Sequence, residues 1–290
     1  MDINIKKYGM IYAVATPIGN LADISLRALE VLRTVDFIAC EDTRNTLKLL
    51  NHYNIHKPLT SYHKYNRIKK AYDIIKEVKK GKYAAFVTDA GMPAVSDPGE
   101  DLIRIAAQEK VAVSIIPGPS ACLSALALST FKTGNFVFEG FIPSEKKDRI
   151  KVLERLKTEE RTIIVYEAPH RLLKTLNVLK GIFGENRRIN LVRELTKKHE
   201  ETLLTNFKDI ISDCENGNYI PRGEYVLVIE GRPEEEAIAE RSLQWERIDI
   251  ALHVKMYEDS GMDRKAAIKQ AAKDRGISKR EVYNNLLNDA

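Results

Sequence analysis

Tyr83-Ala-Ala-Phe-Val-Thr-Asp-Ala-Gly-Met-Pro-Ala-Val-Ser-Asp-Pro-Gly99 opens as a β-rich apolar run, breaks at Thr88, and passes through glycine and proline into a helical pattern that starts near Asp97. The same grammar returns in Val111-Ala-Val-Ser-Ile-Ile-Pro-Gly-Pro-Ser-Ala121, where an apolar strand ends in Pro-Gly-Pro and a helix begins at Ser120. Upstream, residues 10–15, 36–40 and 59–62 read as strands. Between them run helical patterns from the cap Ser25 through Leu32, over 43–50 and over 67–79, the last stopped by Gly81-Lys82. This βα alternation predicts a mainly parallel sheet covered on both faces. Loops leaving the carboxyl ends of such strands line the ligand crevice. Glycine and proline there keep the backbone close to a bound molecule and leave N–H groups exposed.

After Ser120 the pattern changes. Strands over 135–141, 161–166, 188–192, 201–205 and 224–230 alternate with a basic helix at 146–156 and a helix at 169–179 that carries proline in its first turn. That predicts a second α/β domain with a mixed sheet. Residues 234–290 show no strand signal; three short helices at 251–260, 263–274 and 278–287 are separated by Gly261 and Gly276. The expected division is a first α/β domain over 1–118 with a parallel, Rossmann-like sheet, a second over 119–233, and a small helical domain over 240–290. From Gly261 to Ala290 there are seven Lys/Arg against four Asp/Glu, and Asp274-Arg-Gly-Ile-Ser-Lys-Arg-Glu-Val-Tyr283 has a helix-turn-helix look. Docking on nucleic acid and packing on the body or on a second copy are both open readings of this tail.

Composition closes off several classes. A chain of 290 residues, 44% hydrophobic and 30% charged, can bury a full core and suits more than one domain. No stretch approaches the ~20 apolar residues of a membrane span. The opening Met-Asp-Ile-Asn-Ile-Lys-Lys lacks the apolar core of a secretory signal. Cys40, Cys122 and Cys214 lie far apart with no Cys-x-x-Cys, which argues against disulfides and zinc and for a reducing cytoplasm. A net charge of +5 permits a nucleic-acid partner without demanding one.

The first strand is followed by Thr16-Pro-Ile-Gly-Asn-Leu21. A dinucleotide site needs Gly-x-Gly-x-x-Gly at that turn; only Gly19 is there, and a Walker loop is absent as well. The expected ligand therefore carries no phosphates, as S-adenosylmethionine does not. Its adenosine takes backbone donors and a carboxylate, and its own carboxylate favours a helix N-terminus. Asp89 and Asp97 stand among Gly and Pro in one loop, and Ser120 and Ala121 stand at a helix start in the other. Taken singly, each loop is also an ordinary turn.

Taken together, an ordered series of blocks says more. They are Tyr12-Ala-Val-Ala-Thr-Pro-Ile-Gly-Asn-Leu21, Leu26-Arg-Ala-Leu-Glu30, Glu41-Asp-Thr-Arg44, Ser61-Tyr-His63, Asp89-Ala-Gly, Ser96-Asp-Pro-Gly99 and Pro117-Gly-Pro-Ser-Ala121. Phe138-Glu-Gly-Phe141, Tyr166-Glu-Ala-Pro-His-Arg171, Arg193-Glu-Leu-Thr-Lys197 and Gly223-Glu224 follow. In these the chain resembles the tetrapyrrole-methylase superfamily, and within it the branch that methylates ribose 2′-hydroxyls of small-subunit ribosomal RNA. The resemblance runs over about residues 10–231. It implies a deep cleft between two α/β domains, S-adenosylmethionine in that cleft, and a homodimer as the working unit. It also implies 16S rRNA or the small ribosomal subunit as partner, with a decoding-centre cytidine as target. Position by position, it puts the cofactor loop on Asp89, Ala90, Gly91, Met92 and Pro93, a second loop on Ser120 and Ala121, and a second-domain contact on Tyr166. Where the family usually has Ser, Thr, Gly-Ile and Ser, this chain has Thr88, Met92, Ala94-Val95 and Ala168, exchanges that backbone-mediated binding absorbs.

Methyl transfer to a ribose hydroxyl is an in-line displacement from an activated sulfonium, so the enzyme positions the partners and helps remove one proton. Glu41, Asp42 and Arg44 lie just past the second strand. Their carboxylates can accept that proton and Arg44 can hold a phosphate; alternatively Asp42 caps a helix and Arg44 is solvated. Glu167, His170 and Arg171 open a helix, and with no visible partner for the histidine, Glu167 and Arg171 rank ahead of it. Arg193 beside Glu194 suits bidentate phosphate binding or an interdomain ion pair. The run Ser61 to Asn66 can stack on a nucleotide or close the first domain. No His, Cys or carboxylate spacing suggests a protein-held metal. The alternative functions are a tetrapyrrole C-methyltransferase, which opens with a Gly-rich turn and lacks a basic tail, and a noncatalytic rRNA-binding assembly factor.

Overall fold

The computed structural model describes residues 9–233, 236, 245 and 247–288. The opening segment 1–8 and most of the boundary expected between 233 and 240 fall outside the described residues. Strands β1 (Met10–Val14), β2 (Phe37–Cys40), β3 (Leu59–Ser61), β4 (Ala84–Val87) and β5 (Ala112–Ile116) form one sheet in the order β3-β2-β4-β1-β5. Every pairing in it is parallel. Parallel neighbours need crossovers, and α1 (Leu26–Thr34), α2 (Thr43–His52), α3 (Arg67–Lys79) and α4 (Gly99–Gln108) supply them. On one face Ile74 and Val78 of α3 and Leu102 and Ile105 of α4 pack on Ile11, Ala39 and Phe86. On the other, Leu32 of α1 and Leu50 of α2 pack on Val14, Ile38 and Val87. All four residues of β4 are buried, as a strand covered twice requires. Helix α4 starts at Gly99, later than the sequence suggests, because the Asp97 carboxylate accepts the Gly99 N–H at 2.7 Å and so stands outside the helix.

Helix α5 (Ala121–Leu128) leads into the second domain. Its elements are β6 (Phe136–Phe141), α6 (Lys146–Lys157), β7 (Thr162–Glu167), α7 (Leu172–Phe183), β8 (Arg188–Arg193), β9 (Glu201–Asn206), α8 (Phe207–Glu215) and β10 (Tyr225–Ile229). The sheet order is β6-β7-β10-β8-β9, with β6 and β7 parallel and the remaining pairs antiparallel, hence mixed. The sequence reading does not mark α8; Asn206 caps it, and Phe207, Ile210 and Ile211 bury its apolar face. Helices α6, α7 and α8 cover one face of this sheet through Leu156, Leu176 and Phe207. Its other face receives Cys122, Ala125 and Leu126 of α5, and Ile18 of the first domain packs there too. The carboxyl ends of β1, β4 and β5 therefore point at the second sheet.

Helices α9 (Ile250–Asp259), α10 (Arg264–Arg275) and α11 (Lys279–Asn288) pack together through Val254, Ala267, Ala271 and Val282. Asp263 caps α10, and Gly276, left-handed at φ 63°, ends it. Among the described residues no helix is long and apolar enough to cross a membrane.

Candidate active site

The loops after β1 and β4 are tied together. Thr16 and Gly91 exchange N–H···O hydrogen bonds in both directions at 3.0 Å, and Thr16 Oγ1 donates to the Thr88 carbonyl at 3.3 Å. Gly91 sits at φ 81°, where a Cβ would lie 3.3 Å from Ile18 Cγ2. Ala94 and Ser96 are also left-handed, at φ 66° and 65°, without being glycine. Such backbone costs roughly 1–3 kcal/mol per residue and persists where its surroundings impose it. Asp97 imposes it here by accepting the N–H groups of Val95 at 3.1 Å and of Gly99 at 2.7 Å. Behind Pro117-Gly-Pro, Ser120 caps α5 through the N–H of Leu123.

The second sheet meets these loops with side chains. The Tyr166 hydroxyl accepts the Cys122 N–H at 3.0 Å, joining β7 to the first turn of α5, and burial pushes its phenol up to about 12. A bulge at Gly140, φ 70°, brings β6 against Ser96 and aims Phe141 at Tyr166, ring centroids 5.7 Å apart. Past β8, Glu194 and Thr196 are left-handed at φ 50° and 65°. For β-branched Thr196 this is an outlier. Its hydroxyl accepts the Asn20 N–H at 3.1 Å, and a Cβ on Gly19 would lie 2.5 Å from Lys197 Cγ. Only glycine lets the first-domain loop approach so closely. Lys197 Nζ donates to Glu194 Oε1 at 2.9 Å and to Glu224 Oε2 at 2.7 Å. Burial works against the charge on Glu194, yet Lys197 and the Glu224 N–H outweigh it and hold that carboxyl below its ordinary range.

Between the two domains lies a cavity of about 240 Å³. Of the residues expected at the cofactor, Ala90, Gly91, Met92, Ser120, Ala121 and Tyr166 line it. Asp89 and Pro93 do not. The Asp89 carboxylate turns instead to the start of α2, accepting from the Asp42 N–H at 3.2 Å and Asn45 Nδ2 at 3.4 Å; Pro93 is buried in its own loop. Ile18, Phe141, Val192, Leu195, Lys197 and Glu224 complete much of the wall. For all but Val192 the available signal was membership of the blocks Tyr12–Leu21, Phe138–Phe141, Arg193–Lys197 and Gly223-Glu224.

The acceptor-side candidates separate. Asp42 caps α2 by accepting the Arg44 N–H at 2.8 Å, and the exposed Arg44 guanidinium folds back on it at 2.7 Å. Arg44 holds the Asp42 carboxyl at about 2, which makes it a poor base. The solvated-cap reading fits this pair. Glu41 behaves oppositely: burial raises its carboxyl, and the charges of Asp89 and Asp97 raise it further against the opposing effect of His63. Burial also raises Asp97, despite the N–H groups it accepts. Glu41 is thus the better proton acceptor, near the loop whose other residues line the cavity.

Glu167 lines the cavity from a buried position, held by Thr175 Oγ1 at 2.5 Å, the Ala168 N–H at 2.8 Å and Arg171 Nε at 3.3 Å. His170 is exposed on a short turn, outside this cavity. Arg193 Nε reaches Glu201 Oε2 at 3.1 Å on the neighbouring strand, so its ion pair lies within the second sheet and is not interdomain. Among the described residues no group of His, Cys, Asp and Glu is arranged to hold a metal ion.

Two facing α/β domains that close on one cavity at their strand ends define a class. Residues 10–211 match the family described as Tetrapyrrole (Corrin/Porphyrin) Methylases, and the chain belongs to it. Several relatives carry the name Ribosomal RNA small subunit methyltransferase I. That of Halalkalibacterium halodurans is 43% identical over 95% of this chain and 94% of its own. That of Bacillus subtilis is 44% identical over 98% and 96%, and that of Thermotoga maritima 45% over 77% and 99%. Solved structures share the fold at low identity. Diphthine synthase has a TM-score of 0.58 at 12% identity, covering 76% of this chain and 89% of its own. Uroporphyrin-III C-methyltransferase from Thermus thermophilus, complexed with S-adenyl homocysteine, has 0.55 at 15%, covering 77% and 97%.

Proposed function

We propose that the chain transfers a methyl group from S-adenosylmethionine to the ribose 2′-hydroxyl of a cytidine in the decoding centre of 16S rRNA. The observation that carries this reading is a largely apolar interdomain cavity lined by Ala90–Met92, Ser120, Ala121, Tyr166, Lys197 and Glu224; Glu41 lies outside that lining, within electrostatic reach of Asp89, which adjoins Ala90. The residues suit that donor. Gly91 has no Cβ to crowd Ile18, and with its N–H and carbonyl both bonded to Thr16 it fixes the loop 90–92 along the cavity wall. Ile18, Met92 and Val226 offer apolar surface to an adenosine, and Lys197 offers charge to a carboxylate. Glu167 and Glu224 complement a sulfonium. When bound, that donor supplies an activated methyl group, so the chain's own task is orientation and one proton. Ala90–Met92 and Ser120–Ala121 orient, Tyr166 fixes α5 in place, and Glu41 takes the proton from the incoming hydroxyl. The printed name of the relatives supports rRNA as acceptor.

Labelled methyl transfer to unmodified small subunits tests the reading, followed by mapping of 2′-O-methyl groups on 16S rRNA from cells with and without the protein. One cytidine is expected to lose its mark. Tight rRNA binding without transfer would favour an assembly factor instead.

A further inference from the structure

A second cavity, about 130 Å³, lies at the start of α7 and is lined by Ile142, Ser144, Arg149, Arg171, Lys174 and Thr175 among others. Three cationic side chains converge on it and no lining residue is acidic. Arg149 Nη1 donates to the Ser144 carbonyl at 2.7 Å, and Arg171 Nη2 to the Ile142 carbonyl at 2.7 Å. One nitrogen of each guanidinium is thus committed to backbone, which orients the remaining donors. Arg171 also meets Glu167 at 3.3 Å, whereas neither Arg149 nor Lys174 has a carboxylate partner among the described residues. Oriented guanidinium donors beside an ammonium, with one carboxylate among three cations, match a phosphate group.

The position is as informative as the charge. Phe141 lines the interdomain cavity and Ile142 to Ser144 line this one. At no more than about 3.6 Å per residue, that segment spans at most about 11 Å. Glu167 lines the first cavity while holding Arg171 and Thr175 of the second. Phe141 is 52% exposed between them, a face on which a base can stack. Lys146 and Lys147 extend the cationic surface along α6, where Lys151 is paired with Asp148 at 3.7 Å.

We propose that the Arg149–Arg171–Lys174 pocket binds a phosphodiester of the RNA strand beside the ribose that is methylated. The proposal rests on the rRNA reading above and adds to it a phosphate subsite separate from the methyl-donor cavity. A free phosphate shares this chemistry, and the test separates the two sources.

The test uses the full chain carrying Arg149→Gln and Lys174→Gln together, with Arg149→Lys and Lys174→Arg as the charge-retaining control. Affinity for unmodified small-subunit rRNA is measured over a salt series, S-adenosylmethionine affinity by calorimetry, and methyl transfer as a function of rRNA concentration. The neutral variant is expected to bind rRNA about tenfold more weakly at low salt, with a log–log salt slope shallower by about 0.7. Its KM for rRNA rises, donor affinity stays at the wild-type value, and the charge-retaining variant recovers the slope. Unchanged rRNA affinity and slope would overturn the proposal. So would loss of thermal stabilisation by inorganic phosphate with rRNA binding intact, which would assign the pocket to a free anion. Wild-type protein that transfers no methyl to rRNA would instead overturn the functional reading beneath it.

Discussion

The two domains build one cavity by different means. The first presents backbone: Ala90 to Met92 reach it from a loop bent by Gly91, joined by Ser120-Ala121 just past the Pro117-Gly-Pro119 turn that enters the second domain, while the carboxylates of Asp89 and Asp97 are engaged by N–H groups of loops and helix starts. The second presents side chains, Tyr166, Lys197 and Glu224, from the ends of β7, β8 and β10. Backbone presentation tolerates changes of side chain but not of conformation. Side-chain presentation depends on particular atoms, and here on the strained turn at Glu194 and Thr196 that supports Lys197.

The largest expected effect tests whether the first domain acts on the acceptor through a side chain. Glu41→Gln should lower methyl transfer about 10²- to 10⁴-fold with donor affinity unchanged in calorimetry. The acid limb of the wild-type pH–rate profile should lie above that of an ordinary glutamate, since burial raises this carboxyl. A carboxyl raised in the folded state binds its proton more tightly there, so its ionised form lowers stability increasingly as pH climbs through the folded value. The same variant should therefore melt no lower than wild type at neutral pH. Loss of donor binding along with transfer would instead make Glu41 part of the cavity wall.

Next comes the strained turn of the second domain. Gly223→Ala places a Cβ 2.4 Å from Glu194 Cγ at φ 72°. It should destabilise by about 1–3 kcal/mol and weaken donor binding by displacing Lys197. Gly134→Ala, where a Cβ meets nothing within 4 Å, is the control expected to leave both unchanged. A smaller effect belongs to Tyr166→Phe, which removes the acceptor of the Cys122 N–H. A lost hydrogen bond of about 1–2 kcal/mol should weaken donor affinity about tenfold through movement of Ser120-Ala121. Smallest of all is Asp42→Asn. An asparagine still caps α2, so transfer and melting temperature at neutral pH should stay near wild type. The stability from the depressed Asp42 carboxyl is present above its unfolded value and is lost only as pH falls through about 2.

The same contrast explains what was legible in the sequence. Strand-loop-helix units announce themselves through apolar runs ended by Gly and Pro, so the parallel sheet and the cavity loops of the first domain could be read directly. Turns built on Gly and Pro leave a compositional mark; contacts, and left-handed turns at Ala94, Ser96, Glu194 and Thr196, do not. Tyr166, Lys197 and Glu224 lie far apart in the chain and meet only because the order β7-β10-β8 makes their strands neighbours. The direction taken by the Asp89 carboxylate depended on where α2 began relative to β4, which no local pattern specifies. The cap at Asp42 was readable as one of two options, and the guanidinium of Arg44 decided between them.

Hydrogen exchange with and without S-adenosylmethionine tests the shared cavity most directly. Amides at 90–92, at 121–122 and at 195–197 should all slow on addition of the donor, one set from each contributing loop of the two domains. Slowing confined to one domain, or appearing elsewhere with these amides unaffected, would contradict a binding site built by both.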